Sequence, residues 1–408
     1  MNILTIIKIA WRNLWRSKLR SSVVILSVIF GIVGGIIIIA MSYGLNMERM
    51  NNAVDTYLSH IQIHNKNFSD DFNLKHTISN LSQIEEKINN DKRVVSYSKR
   101  IILNGMLSNS NGSYGIQVKG IDPDSEVNVT NTYEKVVDGE YFKSSRDNTI
   151  LVGKKLAERL NLKIKSKVVV TFQDENNNLT SLLYRVEGIF RSGNSRYDDA
   201  NVFVKNSSIT KNLPGFSGFH EIPILLTDIE LKDEVKSELI PFSDENIVES
   251  WDDISKDLAY ANEMLAAVLY IFMMIILSGL SFGIVNTMLM AILERKKEIG
   301  MLMSIGMNRY KIFLMIGFET IFLTVVALPF GLLISYMLVE YYSVVGIDLS
   351  MVEAGLENFG VGTRLYFQLP TSEYYVVSGM VFIISFISSI FPSIRALKIN
   401  PVEATKSI

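Results

Sequence analysis

Four long apolar stretches dominate the pattern of hydrophobic and polar positions in this chain. Residues 21–47, 265–293 and 374–394 contain no charged side chain, and residues 312–339 contain one, Glu319. A helix needs roughly 20 apolar residues to cross a bilayer core of about 30 Å. The pattern therefore predicts four transmembrane helices.

Between the first two stretches the pattern changes to short alternating segments. The run from Leu58 to His64 alternates with period two, which predicts a half-buried strand with His60, Gln62 and His64 on its exposed face. Asn111-Gly112 separates two strand-like segments and predicts a β-hairpin, as does the turn at 174–178.

Helical signals alternate with these strands. Ser82 and Glu85 have the spacing of a capping box and predict a helix that runs to about Asn89. A further helix is expected from about Trp251 directly into the second span. Residues 46–262, about 217 residues, are long enough to have a hydrophobic core of their own.

The predicted fold class is an α-helical membrane protein with four transmembrane helices and a mixed α/β domain inserted between helices 1 and 2. The predicted segments are an amphipathic helix (1–20), transmembrane helix 1 (21–45), the α/β domain (46–262), transmembrane helix 2 (263–293), a polar helix (294–310), transmembrane helix 3 (311–340), a loop (341–372), transmembrane helix 4 (373–394) and a tail (395–408).

Lysine and arginine in the flanks of the spans predict the orientation. Basic residues precede the first span, separate the second from the third, and follow the fourth: Lys8, Arg12, Arg16, Lys18, Arg20, Arg295, Lys296, Lys297, Arg309, Lys311, Arg395, Lys398 and Lys406. The loop between the third and fourth spans has five acids, Glu340, Asp348, Glu353, Glu357 and Glu373, against Arg364 alone. We therefore expect a multi-pass protein of the cytoplasmic membrane with both termini inside and the α/β domain outside.

Composition narrows the classes of function. Of 408 residues, 48% are hydrophobic and 20% are charged, and the net charge of −2 gives no reason to expect nucleic-acid binding. The chain has no cysteine, which excludes disulfides, thiolate metal sites and a cysteine nucleophile.

Candidate chemistry is sparse. His60 and His64 lack a third ligand placed by spacing, so we expect a surface strand rather than a metal site. No Gly-x-x-x-x-Gly-Lys-Ser/Thr loop occurs in the sequence, and we expect no catalytic, cofactor-binding or metal-binding residue. Asn286 and Glu319 are polar positions within spans. Glu319 is expected to bond a neighbouring helix or to reach the membrane boundary, with a proton relay as the alternative.

The charged segment between the second and third spans resembles the cytoplasmic coupling helix of the MacB/LolC/LolE/FtsX family of ABC transporter permeases. The family reads roughly Glu-Arg-x-x-Glu-Ile-Gly-x-Leu-x-x-x-Gly. The matching positions here are Glu294, Arg295, Glu298, Ile299, Gly300, Leu302 and Gly306, with Lys297 on the same segment. The tail from Pro392 to Ala404 and the start from Ala10 to Arg20 also resemble the family, and Asn286 and Glu319 fall where the family tends to have Asn and Glu.

The resemblance implies a mechanism and its partners. A separate cytoplasmic ABC ATPase dimer, which binds ATP and Mg²⁺, would grip the coupling helix and move the outside domain. Four spans per chain imply a second permease chain, identical or different. This chain would have no cofactor and no ATPase of its own.

Three uses of such a permease stay open. Length, layout and the Ser59–His64 stretch are most similar to LolC/LolE-type permeases, which extract and release lipoproteins from the inner membrane. Glu294 and Glu298 are closer to MacB-type efflux of antibiotics, peptides or other periplasmic substrates, in which a periplasmic adaptor takes part. The third use is an FtsX-like signalling scaffold, although such members usually have a smaller outside domain.

Overall fold

A computed structural model of the protein describes residues 3–68, 72–175, 178–213, 215–243, 245–352, 355 and 364–399. The chain divides into two compact units. The membrane unit comprises Met1–Leu45, Asn262–Asp348 and Leu365–Ile408, and the α/β unit comprises Asn46–Ala261 and Leu349–Arg364. The tail positions from 400 to 408, with Pro401, Glu403 and Ala404 of the tail motif, lie outside the described residues, as do Glu353 and Glu357.

Helices and strands alternate along the α/β unit, whereas the elements of the membrane unit are almost all helices. The helices are α1 (Ile3–Arg16), α2 (Lys18–Ala53), α3 (Leu81–Asn90), α4 (Pro123–Glu126), α5 (Lys154–Arg159), α6 (Ser195–Ala200), α7 (Asn206–Asn212), α8 (Lys232–Leu239), α9 (Trp251–Ile254), α10 (Lys256–Glu294), α11 (Lys296–Ser304), α12 (Arg309–Val345) and α13 (Thr371–Leu397). The strands are β1 (Ile61–Asn65), β2 (Val94–Tyr97), β3 (Ile101–Asn109), β4 (Gly112–Ile121), β5 (Val136–Gly139), β6 (Thr149–Gly153), β7 (Lys167–Gln173), β8 (Leu179–Phe190), β9 (Asn201–Lys205), β10 (Glu221–Leu226), β11 (Asn246–Ser250), β12 (Ile347–Asp348) and β13 (Arg364–Leu365).

Among the described residues, four helices are long and apolar enough to cross a membrane: α2, α10, α12 and α13. This confirms the predicted four transmembrane helices with a mixed α/β domain between the first and the second. The first two spans pack closely through glycine. A Cβ atom on Gly31 would lie 2.5 Å from Leu280, and one on Gly35 would lie 2.5 Å from Met273. Small residues let two helices approach in lipid, where burial of apolar surface supplies little attraction.

The described residues of the α/β unit form two large sheets. The smaller has the order β11-β1-β10-β2, with antiparallel neighbours throughout. One face packs on α3 and α8, where Ile61 and Ile63 meet Ile84 and Val235. Because side chains alternate along a strand, Gln62 and His64 lie on the other face of β1.

The larger sheet has the order β5-β8-β6-β9-β4-β3-β7 and closes on itself. Strand β8 pairs with β7 along its first half and with β6 along its second half. Its core includes Leu103, Val118 and Val204, and it is covered by α5 and α7 through Leu156 and Ile209. Both predicted hairpins are present, as β3–β4 and β7–β8.

Three local expectations are wrong. Helix α3 begins at Leu81 after Asn80, whose side chain makes no capping bond, so Ser82 and Glu85 form no capping box. The helix at Trp251 ends after one turn, because Ser255 leaves helical geometry before α10 begins. Strand β1 is buried on both faces, since its polar face is covered within the α/β unit.

Arg100 joins the two sheets through a buried ion-pair network. Its guanidinium lies 2.5 Å from Glu126 Oε1, after β4, and 2.5 Å from Glu221 Oε1, on β10. The same group donates a hydrogen bond to the Tyr57 carbonyl at 3.2 Å. Burial opposes the charge on Arg100, but the two carboxylates raise its pKa above the ordinary value. Arg100 therefore stays charged and fixes one sheet against the other.

Arg100→Met should destabilise the α/β unit by about 3–5 kcal/mol, because it leaves the carboxylate of Glu126 buried without its partner. The measurement is thermal unfolding followed by the fluorescence of Trp251, which is buried in this unit, in a background with Trp11 and Trp15 replaced by Phe.

Arg159→Met is the matched control. Arg159 pairs with Asp199 at 3.0 Å but its side chain is 46% exposed, so the variant should cost less than about 1 kcal/mol. Equal, small effects of the two substitutions would show that the Arg100 network does not hold the sheets together.

Candidate functional site

The predicted coupling segment, residues 294–306, forms a short helix between two breaks. Arg295 leaves helical geometry, with φ −99° and ψ 16°, and separates α10 from α11. At the other end, Gly306 has φ +92°, a conformation that favours glycine. The amides of Gly306 and Met307 bond back to the carbonyls of Met303 and Leu302, which closes the last turn of α11.

Helix α11 has one buried face and one exposed face. Ile299 and Gly300 are buried, and Leu302 packs beside Ile6 and Met315. The exposed face carries Lys297, Met301 and Ile305, four residues apart, and the two apolar side chains are 55% and 78% exposed. Neighbours at this spacing form one stripe along a helix. The stripe is thus a surface on which another protein can pack.

Arg295 ties the segment to the third span. Its Nη1 lies 3.0 Å and 3.3 Å from the two carboxylate oxygens of Glu319, which is buried in α12. Asn13, on α1, lines the same pocket as Glu319. A charged group within a span is costly unless it is paired. The pair therefore holds the break between α10 and α11 against α12.

Two further ion pairs tie the segment to the N-terminal helices. Arg16, at the end of α1, lies 2.5 Å from Glu298, and Arg20, on α2, pairs with Glu294. Helix α1 also packs on α12, where Trp11 meets Phe322 edge-on at 5.5 Å between ring centroids. The segment is thus bonded to α1, α2 and α12, besides being joined to α10 by the chain.

Asn286 has a different environment from Glu319. Its side chain is exposed on the surface of α10, with no hydrogen-bond partner among the residues that the structure describes. A polar residue in this position is suited to a contact with another chain, since an amide facing lipid is unfavourable.

Glu373 is a second buried acid of the membrane unit, which the sequence analysis counted among the acids between the third and fourth spans. It lies in the first turn of α13, is 5% exposed, and accepts hydrogen bonds from Tyr43 at 2.9 Å and Tyr270 at 3.1 Å. It therefore joins α2, α10 and α13.

The histidines of β1 are buried rather than exposed. His64 Nε2 lies 2.7 Å from Glu249 Oε2, and His60 Nδ1 accepts a hydrogen bond from the Leu226 amide. Burial lowers the pKa of His60. In the described part of the chain, no three His, Asp or Glu side chains are grouped so that they could hold a metal ion.

Sequence reasoning missed Arg16, Arg20, Met301 and Ile305 as members of this site. The basic residues repeat every four positions, but that pattern equally fits an anchor facing lipid headgroups. Met301 and Ile305 look like core residues of an amphipathic helix until the packing shows which face is covered.

Comparisons with known proteins agree with this architecture. Residues 21–241 match the family described as MacB-like periplasmic core domain, and residues 270–401 match that described as FtsX-like permease C-terminal. The lipoprotein-releasing system transmembrane protein LolC of Buchnera aphidicola is 24% identical over 412 residues, covering 96% of each chain. LolE of Haemophilus influenzae is 22% identical over 438 residues, covering 98% of each chain. An uncharacterised ABC transporter permease of Methanocaldococcus jannaschii is 24% identical over 435 residues, covering 100% of this chain and 98% of the other.

Glu319→Gln should destabilise the membrane unit by about 3 kcal/mol, because it leaves the half-buried Arg295 guanidinium with only Glu298, 3.7 Å away, as a counter-charge. Arg295→Gln together with Glu319→Gln should recover most of that loss, since neither charge then remains. Thermal unfolding in detergent micelles measures both.

Glu340→Gln is the control, because Glu340 is exposed at the other end of the same helix. If the effects of Arg295→Gln and Glu319→Gln simply add, the pair does not hold the segment. If Glu319→Gln is stable but inactive while Arg295→Gln keeps its activity, the result supports a proton relay at Glu319, because loss of the ion pair alone would inactivate both variants.

Proposed function

The chain belongs to the family of ABC transporter permeases with a MacB-like periplasmic core domain and an FtsX-like C-terminal region, and from this premise we propose that it extracts lipoproteins from the inner membrane and releases them. It acts as a permease subunit whose movement is driven by ATP hydrolysis on a separate ATPase. It lies in the inner membrane as a multi-pass protein.

One observation carries the proposal: the 294–306 segment presents an exposed stripe and is bonded to three helices. A cytoplasmic ATPase dimer grips the stripe of Lys297, Met301 and Ile305. Because ion pairs join the segment to α1, α2 and α12, a displacement of α11 moves the spanning helices together. ATP and Mg²⁺ bind to the ATPase, and this chain contributes no nucleotide loop.

The orientation follows from charge. Residues 3–20 and 294–311 contain ten basic residues and two acids, which favours the cytoplasmic side for α1 and α11. The α/β unit then lies outside the cell membrane, with both termini inside. A second permease chain completes the complex, and the exposed Asn286 is suited to contact it.

Lipoprotein release is favoured over the other uses of this fold by the names of the full-length relatives, LolC and LolE. Efflux of antibiotics or peptides with a periplasmic adaptor is the alternative within the family. An FtsX-like signalling scaffold is the alternative from another functional class. The large α/β unit argues against it, because such scaffolds usually have a smaller outside domain.

A pull-down of the tagged chain in mild detergent, followed by mass spectrometry, tests the assignment. We expect a soluble ABC ATPase together with a second permease or lipoproteins. A periplasmic adaptor and an outer-membrane channel would support efflux instead, and the absence of any ATPase would overturn the transporter proposal.

Glu298→Lys should leave the fold intact, because the Arg16–Glu298 pair is largely exposed and such pairs contribute little stability. Substrate-stimulated ATPase activity of the purified complex should fall by roughly tenfold. The new lysine would face Arg16, and a contact between two like charges costs more than about 1.4 kcal/mol.

Arg16→Glu added to Glu298→Lys restores the pair with reversed charges and separates two roles of Glu298. Recovery of activity means that the contact with α1 transmits the movement. Activity that stays low means that Glu298 contacts the ATPase itself. Normal stimulation in Glu298→Lys alone would contradict the coupling role of the segment.

A further inference from the structure

The α/β unit contains a cavity of about 370 Å³ whose lining combines charged and aromatic side chains. It lies where the polar face of β1 meets strand β4 of the larger sheet. The side chains that matter here are Lys119, His64, Glu249, Tyr57, Phe68 and Phe72. Its volume is within the range of ligand pockets, about 300–1,000 Å³.

Lys119 lies in this cavity without a hydrogen-bond or ion-pair partner among the described residues. The residue is 6% exposed, and its ammonium lies 5.1 Å from the centroid of the Tyr197 ring. Among the residues that the structure describes, the ammonium donates no hydrogen bond and forms no ion pair. Buried lysines are almost always paired, so the absence of an acceptor needs an explanation.

The acids around the cavity already have partners. Glu221 pairs with Arg100 at 2.5 Å, and Glu249 pairs with His64 at 2.7 Å. Asp253 accepts from Lys236 at 2.5 Å. None of these three carboxylates forms an ion pair with the Lys119 ammonium.

A second unpaired cation lies at the rim. Lys256, the first residue of α10, lines the same cavity, is exposed, and forms no ion pair with any described residue. Lys119 and Lys256 thus present to the cavity two ammonium groups that form no ion pair with a described residue. Tyr57, Phe68 and Phe72 supply the apolar surface that an organic group needs.

We propose that this cavity binds a carboxylate carried on an apolar body, with the carboxylate on Lys119 and the apolar part against Phe68 and Phe72. The source is either a small organic acid or the C-terminal carboxylate of a peptide. This binding site is separate from the 294–306 segment, and it does not depend on the coupling proposed for that segment.

Charge on Lys119 makes the site sensitive to pH. Burial is the largest cause of a lowered Lys119 pKa; Arg100 also lowers it, the carboxylates of Glu221 and Glu126 oppose the shift, and the resulting pKa is about 8. The ammonium is charged at pH 7 and mostly neutral at pH 9.5. Binding of an anion should therefore weaken between these two values.

The experiment uses the full-length chain in nanodiscs and three probes of one shape: 3-phenylpropionate, its amide and 3-phenylpropylamine. Saturation-transfer NMR and titration give each dissociation constant at pH 7 and pH 9.5. We expect the acid to bind and the other two to bind at least roughly tenfold more weakly, as loss of a charge-assisted hydrogen bond requires. Preferential binding of the amine, or equal binding of all three, would overturn the proposal.

Variants locate the binding. Lys119→Met should weaken binding of 3-phenylpropionate by roughly tenfold or more, and Lys256→Met by less, because it lies at the rim. Lys167→Met is the matched control, since Lys167 is an exposed lysine on β7 of the same sheet and does not line the cavity.

If Lys119→Met fails to fold, the exposed Lys256→Met and the pH series decide the question. Unchanged binding in Lys256→Met together with unchanged binding at pH 9.5 would contradict the site. The tripeptide Gly-Gly-Phe, with a free or an amidated C-terminus, then distinguishes the two sources. Tight binding of the free tripeptide assigns a peptide end, and binding of 3-phenylpropionate alone assigns a small acid.

Discussion

A buried charge needs a partner, and this constraint determines how the protein is held together. In the membrane unit, Glu319 cannot face lipid as a carboxylate, so Arg295 bends out of α10 to meet it. In the α/β unit, Arg100 binds two carboxylates and thereby joins two sheets that share no strand. Each pair lies at a point where separate elements meet. The same rule makes Lys119 conspicuous, because it is buried and has no bonded partner.

The ion pairs around the 294–306 segment differ in burial, and this difference gives them different roles. Arg295–Glu319 is mostly buried and contributes to stability, whereas Arg16–Glu298 is largely exposed and contributes little. An exposed pair that contributes little stability can still transmit a displacement, because it resists the separation of α1 from α11 when one of the two helices moves. The coupling that we propose requires both properties, since the structure has to persist while α11 shifts.

The close packing of α2 on α10 also affects how the spans can move. Gly31 and Gly35 let the two spans approach within contact distance of Leu280 and Met273. In the first turn of α13, Glu373 joins that helix to α2 and α10 through two tyrosine hydroxyl groups. These contacts favour movement of the spans as a group over the sliding of one helix past another.

The four spans, the inserted α/β domain, both hairpins and the place of the 294–306 segment could all be predicted from the amino-acid sequence. These features rest on local signals: a run of apolar residues, a turn dipeptide, or a charged break between two spans. The partners of Glu319 and Arg100, the burial of Glu373 and His64, and the cavity around Lys119 could not be predicted and became visible in the folded structure. Those contacts join residues 24 to 330 positions apart, and periodicity carries no information about which distant side chains meet. Whether a polar residue is solvated or buried depends on what covers it, and that is a property of the folded chain alone.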